Sequence, residues 1–165
     1  MNRKHLYQII LTFLLATAFA SCNNKTLLNE DHTFVNDTWQ RFKPEHFDVN
    51  VTRPDDCYNF LLTITFDTSR YHQNSLPIIL EIESPDHEKR TLFSTLLLRN
   101  NNGNWLGSFS ETGDLVISQT IRQFYFFNTT GTHSVNLSQR TSKYEIYGIR
   151  NLNLTIEKVE VELPE

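Results

Sequence analysis

The side chains that could do acid–base or metal chemistry in this chain are scattered. Beyond the first twenty residues the histidines are His32, His46, His72, His87 and His133. The run Asp86-His87-Glu88 could offer metal ligands, but Pro85 precedes it and two cations follow it, so a solvated turn is favoured. The sequence contains no nucleophile–base, Walker or metalloprotease motif. We therefore predict a protein that is not an enzyme and has no cofactor and no metal.

The strongest chemical signal lies at the amino terminus and ends at a cysteine. Arg3 and Lys4 precede an apolar run over 6–19, and two small residues lead to Cys22. The run has about 15 residues, shorter than the ~20 that cross a bilayer as a helix, and is typical of a signal peptide. The segment resembles the lipobox of bacterial lipoproteins, in which the cysteine is diacylated and begins the mature chain. We predict a signal peptide over 1–21 and lipidation of Cys22; a secretory signal with an incidental cysteine is the alternative.

The second cysteine is Cys57, and lipidation of Cys22 would leave it without a disulfide partner. It opens the apolar run 57–62, and no nearby basic residue would lower its pKa. A buried, inert thiol is therefore favoured over a nucleophile or a mixed disulfide.

Composition fits one folded domain on a membrane surface. The chain has 165 residues, of which 21% are charged and 12% aromatic, so it has enough apolar surface for a core. Cleavage before Cys22 would leave 13 basic against 19 acidic residues, a charge of −6. Such a balance predicts no nucleic-acid partner, because no cationic excess is present to displace counterions from phosphates. Binding to the membrane would come from the lipid on Cys22.

The rest of the chain has the pattern of a tether followed by strands. Residues 23–37 are polar and weakly periodic, which predicts a lipidated amino terminus and flexible tether over 22–38. Apolar and polar residues then alternate, most clearly over 58–66 and again over 133–137. With around eight such strands and no long helical period, the sequence predicts an all-β fold, a single antiparallel, jelly-roll-like β-sandwich over 39–165.

Three segments give more local predictions. Residues 121–127 are apolar on both faces, which predicts a central strand covered on both sides. The segment 105–109 is expected to return antiparallel after the Asn-rich turn at 100–104. The apolar phase shifts near 157–158, which predicts a β-bulge there.

Several short motifs extend along the chain. They are, in order, Cys22, Phe47-Asp48, Tyr58-Asn59-Phe60, Arg70-Tyr71, Asn74-Ser75-Leu76, the six residues 102–107, the five residues 148–152 and Ile156-Glu157-Lys158. Their order and spacing resemble the gliding motility lipoproteins of the GldH type from Bacteroidetes. The resemblance implies an accessory, lipid-anchored protein of the bacterial cell envelope, associated with gliding machinery and the secretion system linked to it. It does not distinguish the inner from the outer membrane.

Three functions stay open at this point. A non-catalytic module that binds envelope proteins is favoured, because a tethered sandwich suits protein docking. The alternative is a sandwich that binds carbohydrate or another ligand. Trp105 and the group 125–127 could form an aromatic platform for a sugar, although large aromatics in sandwiches are usually core. A hydrolase whose scattered residues converge in space is the third.

Overall fold

The computed structural model describes residues 25–160, so the predicted signal peptide over 1–21 and the lipidation site Cys22 lie outside the described residues. Within that range the chain forms eleven strands, one 3₁₀ turn at Val35–Asp37 and no α-helix. The strands are β1 (Thr26–Thr33), β2 (Thr38–Gln40), β3 (Glu45–Val51), β4 (Cys57–Phe66), β5 (Ser75–Glu83), β6 (Lys89–Leu97), β7 (Ser108–Phe109), β8 (Leu115–Phe126), β9 (Gly131–Gln139), β10 (Glu145–Tyr147) and β11 (Ile149–Val159).

Two antiparallel sheets carry the core between them. One has the order β1-β11-β4-β8-β7 and the other the order β3-β9-β5-β6, while β2 and β10 form a separate two-stranded sheet. The predicted all-β antiparallel sandwich is confirmed. The strands beyond the predicted eight include β2, β7 and β10, which have only two or three residues and are too short to show a period in the sequence.

The alternation in β4 is the clearest link between sequence and core. The even positions Tyr58 to Phe66 are buried, whereas Asn59 to Thr65 face outward and are only partly covered. Phe60 packs edge-on against Tyr125, with ring centroids 5.4 Å apart. Cys57 at the start of the strand is buried, and burial raises the pKa of its thiol. The prediction that Cys57 is buried is confirmed, and its lack of reactivity stays a prediction.

The predicted tether over 22–38 is corrected by the first strand. Residues 26–33 pair with β11 through seven residue pairs, from Thr26↔Glu157 to Thr33↔Asn151. The backbone N–H of Lys158 also donates to the carbonyl of Lys25 at 2.6 Å. The sandwich therefore begins at residue 26 and not at Trp39. The polar composition that suggested a tether belongs to an edge strand, whose charged side chains face water.

The prediction for 121–127 is also corrected. β8 has β4 along one side, but on the other side β7 pairs only with residues 115 and 116 in the described part of the chain. Tyr125 and Phe127 point into the core, while Phe124 and Phe126 are exposed. The segment is apolar on both faces, but one of these faces is open to solvent.

Two further predictions are confirmed only in part. The segment 105–109 returns antiparallel through a single bridge between Arg99 and Trp105, and then crosses to pair with β8 in the other sheet. The irregularity expected near 157–158 is present, but the extra residue is Leu27 on β1, while the β11–β4 register is regular there.

The two ends of the sandwich carry different loops. We call the end at which β1 begins the proximal end. Here Val51 pairs with Gly131, and Gly131 lies against Pro85. The segments at this end are 52–56, 84–88 and 127–130. At the opposite, distal end His32 bonds to Glu45 at 2.7 Å, which sets β1 and β3 side by side. The segments at the distal end are 34–44, 67–74, 98–114 and 140–148.

Candidate interaction site at the distal end

Four segments that are far apart in sequence meet at the distal end around Arg150. Its Nε donates to Asp114 Oδ1 at 2.7 Å, and its terminal nitrogens lie 3.4 Å from Asp37 and 3.6 Å from Asp67. Arg70 approaches the same Asp37 carboxylate at 3.1 Å. This cluster joins the 3₁₀ turn, the end of β4, the β7–β8 turn and the start of β11.

Gly148 sets the path of the backbone into Arg150. Its φ is +85°, its N–H donates to the Asp37 carbonyl at 2.8 Å, and its own carbonyl accepts the Asp67 N–H at 2.9 Å. A Cβ at this position would lie 2.8 Å from the Asp67 carbonyl oxygen and 2.9 Å from the Tyr71 nitrogen. Only glycine fits here, because both the φ angle and the close approach of the backbone exclude a side chain.

The charges of this cluster favour a lasting ion-paired contact, and we call Arg150 together with Asp37, Asp67 and Asp114 the clamp. The Ser69 hydroxyl, bonded at 2.6 Å, holds the pKa of Asp67 below its ordinary value, and the charge of Arg150 acts in the same direction. The Arg150 pKa is raised, chiefly by the hydrogen bond to Asp114. These shifts keep Asp67 ionised and Arg150 charged near neutral pH, so neither is poised for proton transfer. The contacts can hold the distal loops together.

Two open cavities flank the clamp, one on each side of Arg70, Glu145 and Tyr147. The first, of about 300 Å³, is lined by Tyr71, His72 and Ile146, and the second, of about 440 Å³, by Phe34 and Lys43 among others. Tyr147 separates them; its hydroxyl donates to Glu145 at 2.9 Å. β2 and β10 place their outward residues along this divide, while Trp39 and Ile146 face the core.

An exposed aromatic pair lies beside these cavities. Phe42 is 75% exposed and Tyr144 60% exposed, and their ring centroids are 5.9 Å apart. The two loops that carry them are joined by a hydrogen bond of 2.8 Å from the Arg41 N–H to the Tyr144 carbonyl. The Arg41 guanidinium lies 5.4 Å from the centroid of the Phe42 ring.

The two loops that carry this pair also carry four cations without an ion-pair partner among the described residues. Within residues 25–160, Arg41, Lys43, Arg140 and Lys143 form no salt bridge. Arg140 lies over the exposed Phe93 ring, at 4.7 Å from its centroid. We call Arg41, Phe42, Lys43, Phe93, Arg140, Lys143 and Tyr144 the aromatic–basic surface. It stands out on a chain whose acidic residues outnumber its basic ones.

Gln139 fixes the loop that presents half of this surface. Its side chain is buried, and its Oε1 accepts hydrogen bonds from the Thr141 N–H at 2.8 Å and hydroxyl at 2.7 Å. Its Nε2 donates to the Lys143 carbonyl at 3.2 Å. A buried amide with satisfied donors and acceptors specifies one loop conformation. The cations on this loop are therefore held by an ordered backbone.

The histidines singled out from the sequence are not brought together. His87 is exposed in the turn after β5 and bonds Glu83 at 3.1 Å. His133 is a core residue, with Nε2 2.9 Å from the Thr129 carbonyl and its ring against Phe127. His72 lines a distal cavity. Across residues 25–160, no group of three or more His, Cys, Asp or Glu side chains is placed to hold a metal ion.

The aromatic–basic surface is the feature that sequence reasoning missed. Its two halves, residues 41–43 and 140–144, are about a hundred positions apart, and each reads as an ordinary polar turn. The available signal is that both turns pair a large aromatic with two cations. Nothing in the sequence indicates that β2 and β10 bring these turns together.

The described residues contain no helix with the length and apolarity needed to cross a bilayer. They form an all-β protein, an antiparallel sandwich with an elaborated distal end. The chain belongs to the GldH lipoprotein family, whose model matches residues 26–156. This match confirms the resemblance seen in the sequence motifs, two of which, Arg70-Tyr71 and residues 148–152, meet at the Arg150 cluster.

Other comparisons add little. No curated protein matches this chain. Among solved structures, a fructofuranosidase variant from Schwanniomyces occidentalis complexed with fructosylnystose is similar, at 8% identity and a TM-score of 0.39. The alignment covers 80% of this chain and 34% of the enzyme, so this chain spans about a third of that protein's length. A likeness of this size carries no argument about function.

Proposed function

We propose that this protein is a non-catalytic lipoprotein of the bacterial cell envelope, accessory to gliding or to the secretion machinery linked to it. It is anchored through acyl chains on Cys22 and acts by binding envelope proteins. Membership of the GldH lipoprotein family supports the lipoprotein class. The signal-peptide pattern that ends at Cys22 supports the anchoring site.

The aromatic–basic surface carries the proposal of partner binding. Exposed aromatic side chains together with arginine are the residue types that dominate binding energy at protein interfaces. Phe42 and Tyr144 form an exposed apolar pair on the same two loops as these cations, and exposed apolar groups of this kind commonly mark an interaction site. The surface lies at the distal end, away from Lys25 and therefore away from the anchor. A partner can reach it without displacing the membrane.

The charge of this surface indicates the chemistry of the partner. Arg41, Lys43, Arg140 and Lys143 present four positive charges with no acidic neighbour in ion-pair distance among the described residues. Complementary charge speeds encounter and selects the partner. We propose that the partner presents an acidic segment with an apolar residue that contacts Phe42 and Tyr144.

Site-specific crosslinking tests this proposal in the cell. A photoreactive phenylalanine analogue in place of Phe42 is expected to give adducts with an envelope protein. The same analogue at Phe109, an exposed phenylalanine at the distal end but outside the surface, is the matched control and is expected to give none. Adding Arg140→Glu and Lys143→Glu should reduce the adduct at Phe42 at least threefold, because the acidic partner is then repelled. Adducts of equal yield at both positions, or none at Phe42 in cells with normal amounts of the protein, would contradict the proposal.

A further inference from the structure

We infer that the proximal end of the sandwich rests directly on the lipid surface and that Phe124 and Phe126 insert into the headgroup region. The inference rests on the proposed acylation of Cys22. It assigns the protein a second contact with the membrane, made by the folded domain itself, and it fixes which end faces outward.

The distance between the anchor and the fold is short. The chain is held in the sheet from Lys25 onward, because the Lys25 carbonyl accepts the Lys158 N–H and Thr26 pairs with Glu157. Only three Cα–Cα steps separate Cys22 from Lys25, which span at most about 11 Å. A domain on such a link cannot stand off from the bilayer. The end that carries Lys25 must lie at the headgroups.

The exposed phenylalanines lie at that same end. Thr26 pairs with Glu157 on β11. Val159, two residues further along β11, pairs with Cys57 on β4, which in turn pairs with Phe126 on β8. Three strand spacings of ~4.8 Å separate the first strand from the last, so Phe126 lies about 14 Å sideways from the anchored strand. Phe126 therefore lies two residues, about 7 Å, beyond Thr26 toward the proximal end. If the start of β1 lies at the headgroups, Phe126 therefore lies at the headgroups too.

Phe124 is held outward by a specific arrangement. Its φ is +52°, a left-handed conformation that is strained for a residue with a side chain. The Asn59 Oδ1 accepts the Phe124 N–H at 3.0 Å and stabilises this bulge, in which the β4–β8 register shifts. Phe124 is 55% exposed and Phe126 46% exposed. A strained backbone that presents two aromatic rings to solvent indicates a contact that water does not supply.

The proposed contact of Phe124 and Phe126 is with the lipid interface and not with a charged ligand. Cations and carboxylates are mixed at this end, where Lys158 pairs with Asp56 at 2.7 Å and the loops 52–56 and 84–88 together carry residues of both charges. Such a mixture gives no strong attraction to anionic headgroups. Apolar side chains that enter the boundary between headgroups and acyl chains gain affinity from burial, whatever the lipid charge. We therefore expect insertion to be independent of anionic lipid.

Tryptophan reporters in the lipidated full-length chain test the inference. The variant Phe126→Trp reports on the proximal end, Arg53→Trp is a second reporter there, and Phe42→Trp is the matched distal control. Each is reconstituted into phosphatidylcholine vesicles with or without bromine on the acyl chains, and the emission of the native tryptophans is subtracted. We expect brominated lipid to lower the Phe126→Trp signal at least twofold and to leave the Phe42→Trp signal unchanged. Replacing 30% of the lipid with phosphatidylglycerol should not change either result.

The outcomes separate this inference from the proposed function. Flotation of the vesicles and the mass of the attached acyl chains first establish whether Cys22 is lipidated. If the protein floats but neither proximal reporter is quenched more than the distal one, the inference is overturned and the anchor stands. If the chain carries no acyl group and does not float, the anchor fails and the inference fails with it.

Discussion

Replacing Cys22 with alanine is expected to abolish acylation and to move the folded protein out of the membrane fraction of the envelope. In the proposed anchor the acyl chains are attached through Cys22, and within residues 25–160 there is no helix that could hold the chain in a bilayer in its place. The fold should be unaffected, because the sandwich begins four residues later, with Thr26 of β1. Metabolic labelling with a clickable fatty acid and fractionation of the cells measure both effects.

The matched control is Cys57→Ala. Cys57 is buried at the start of β4 and is the other cysteine of the chain, so this variant should keep its label and its location. Label retained on the Cys22→Ala variant would refute the assignment. It would favour an ordinary secretory signal that happens to end near a cysteine.

Replacing Gly148 with alanine is expected to destabilise the sandwich by about 2–5 kcal/mol. Part of this loss, roughly 1–2 kcal/mol, comes from a side chain at φ +85°. The rest, about 1–3 kcal/mol, comes from overpacking, because the new Cβ would lie 2.8 Å from the Asp67 carbonyl and force the backbone apart. This displacement of the backbone would also move Arg150 away from the carboxylates of Asp37, Asp67 and Asp114.

Gly113→Ala separates these two contributions. Gly113 has nearly the same φ, +82°, but a Cβ there would meet nothing within 4 Å. It should therefore show the conformational cost alone. The free energy of unfolding from denaturant melts measures both variants. Equal losses for Gly148→Ala and Gly113→Ala would mean that the close contact at Gly148 carries no energy.

The core could be predicted from the sequence because strand geometry imposes it. Side chains alternate between the two faces of a strand, so the apolar even positions of 58–66 identify the buried face without knowledge of its partners. The same holds for His133, Val135 and Leu137 on β9. Such local rules do not say which strands are neighbours, and the pairing of β4 with β11 and β8 was not predicted.

The amino-terminal strand was missed for a physical reason. β1 lies at the edge of its sheet, and the stretch Asn29 to His32 is polar, which in a sequence is typical of a linker. Edge strands carry such residues because a charged edge prevents pairing with other chains. The backbone of β1 is hydrogen-bonded to β11, which lies about 120 positions away in the sequence. The residues of β1 alone therefore do not indicate this pairing.

The distal site could not be predicted because it depends on contacts between distant segments. Arg150 meets Asp37 and Asp114 only after the sheets have formed. Phe42 and Tyr144 become neighbours through β2 and β10, strands of three residues that have no readable period. The motif Gly148 to Leu152 is part of the family pattern in the sequence, but its contacts with Asp37, Asp67 and Asp114 follow only from the fold.

Complementation of a deletion strain tests the central claim most directly, which is that the protein works by docking a partner on the aromatic–basic surface. The test variant carries Phe42→Glu and Tyr144→Glu, and its controls are Phe109→Glu, His72→Ala and His87→Ala, all compared at equal abundance in the envelope. We predict that the test variant fails to restore gliding or secretion, while the three controls restore it. Restoration by the test variant would contradict docking on this surface. Loss of function in a folded and correctly located histidine variant would contradict it as well and would favour a catalytic role.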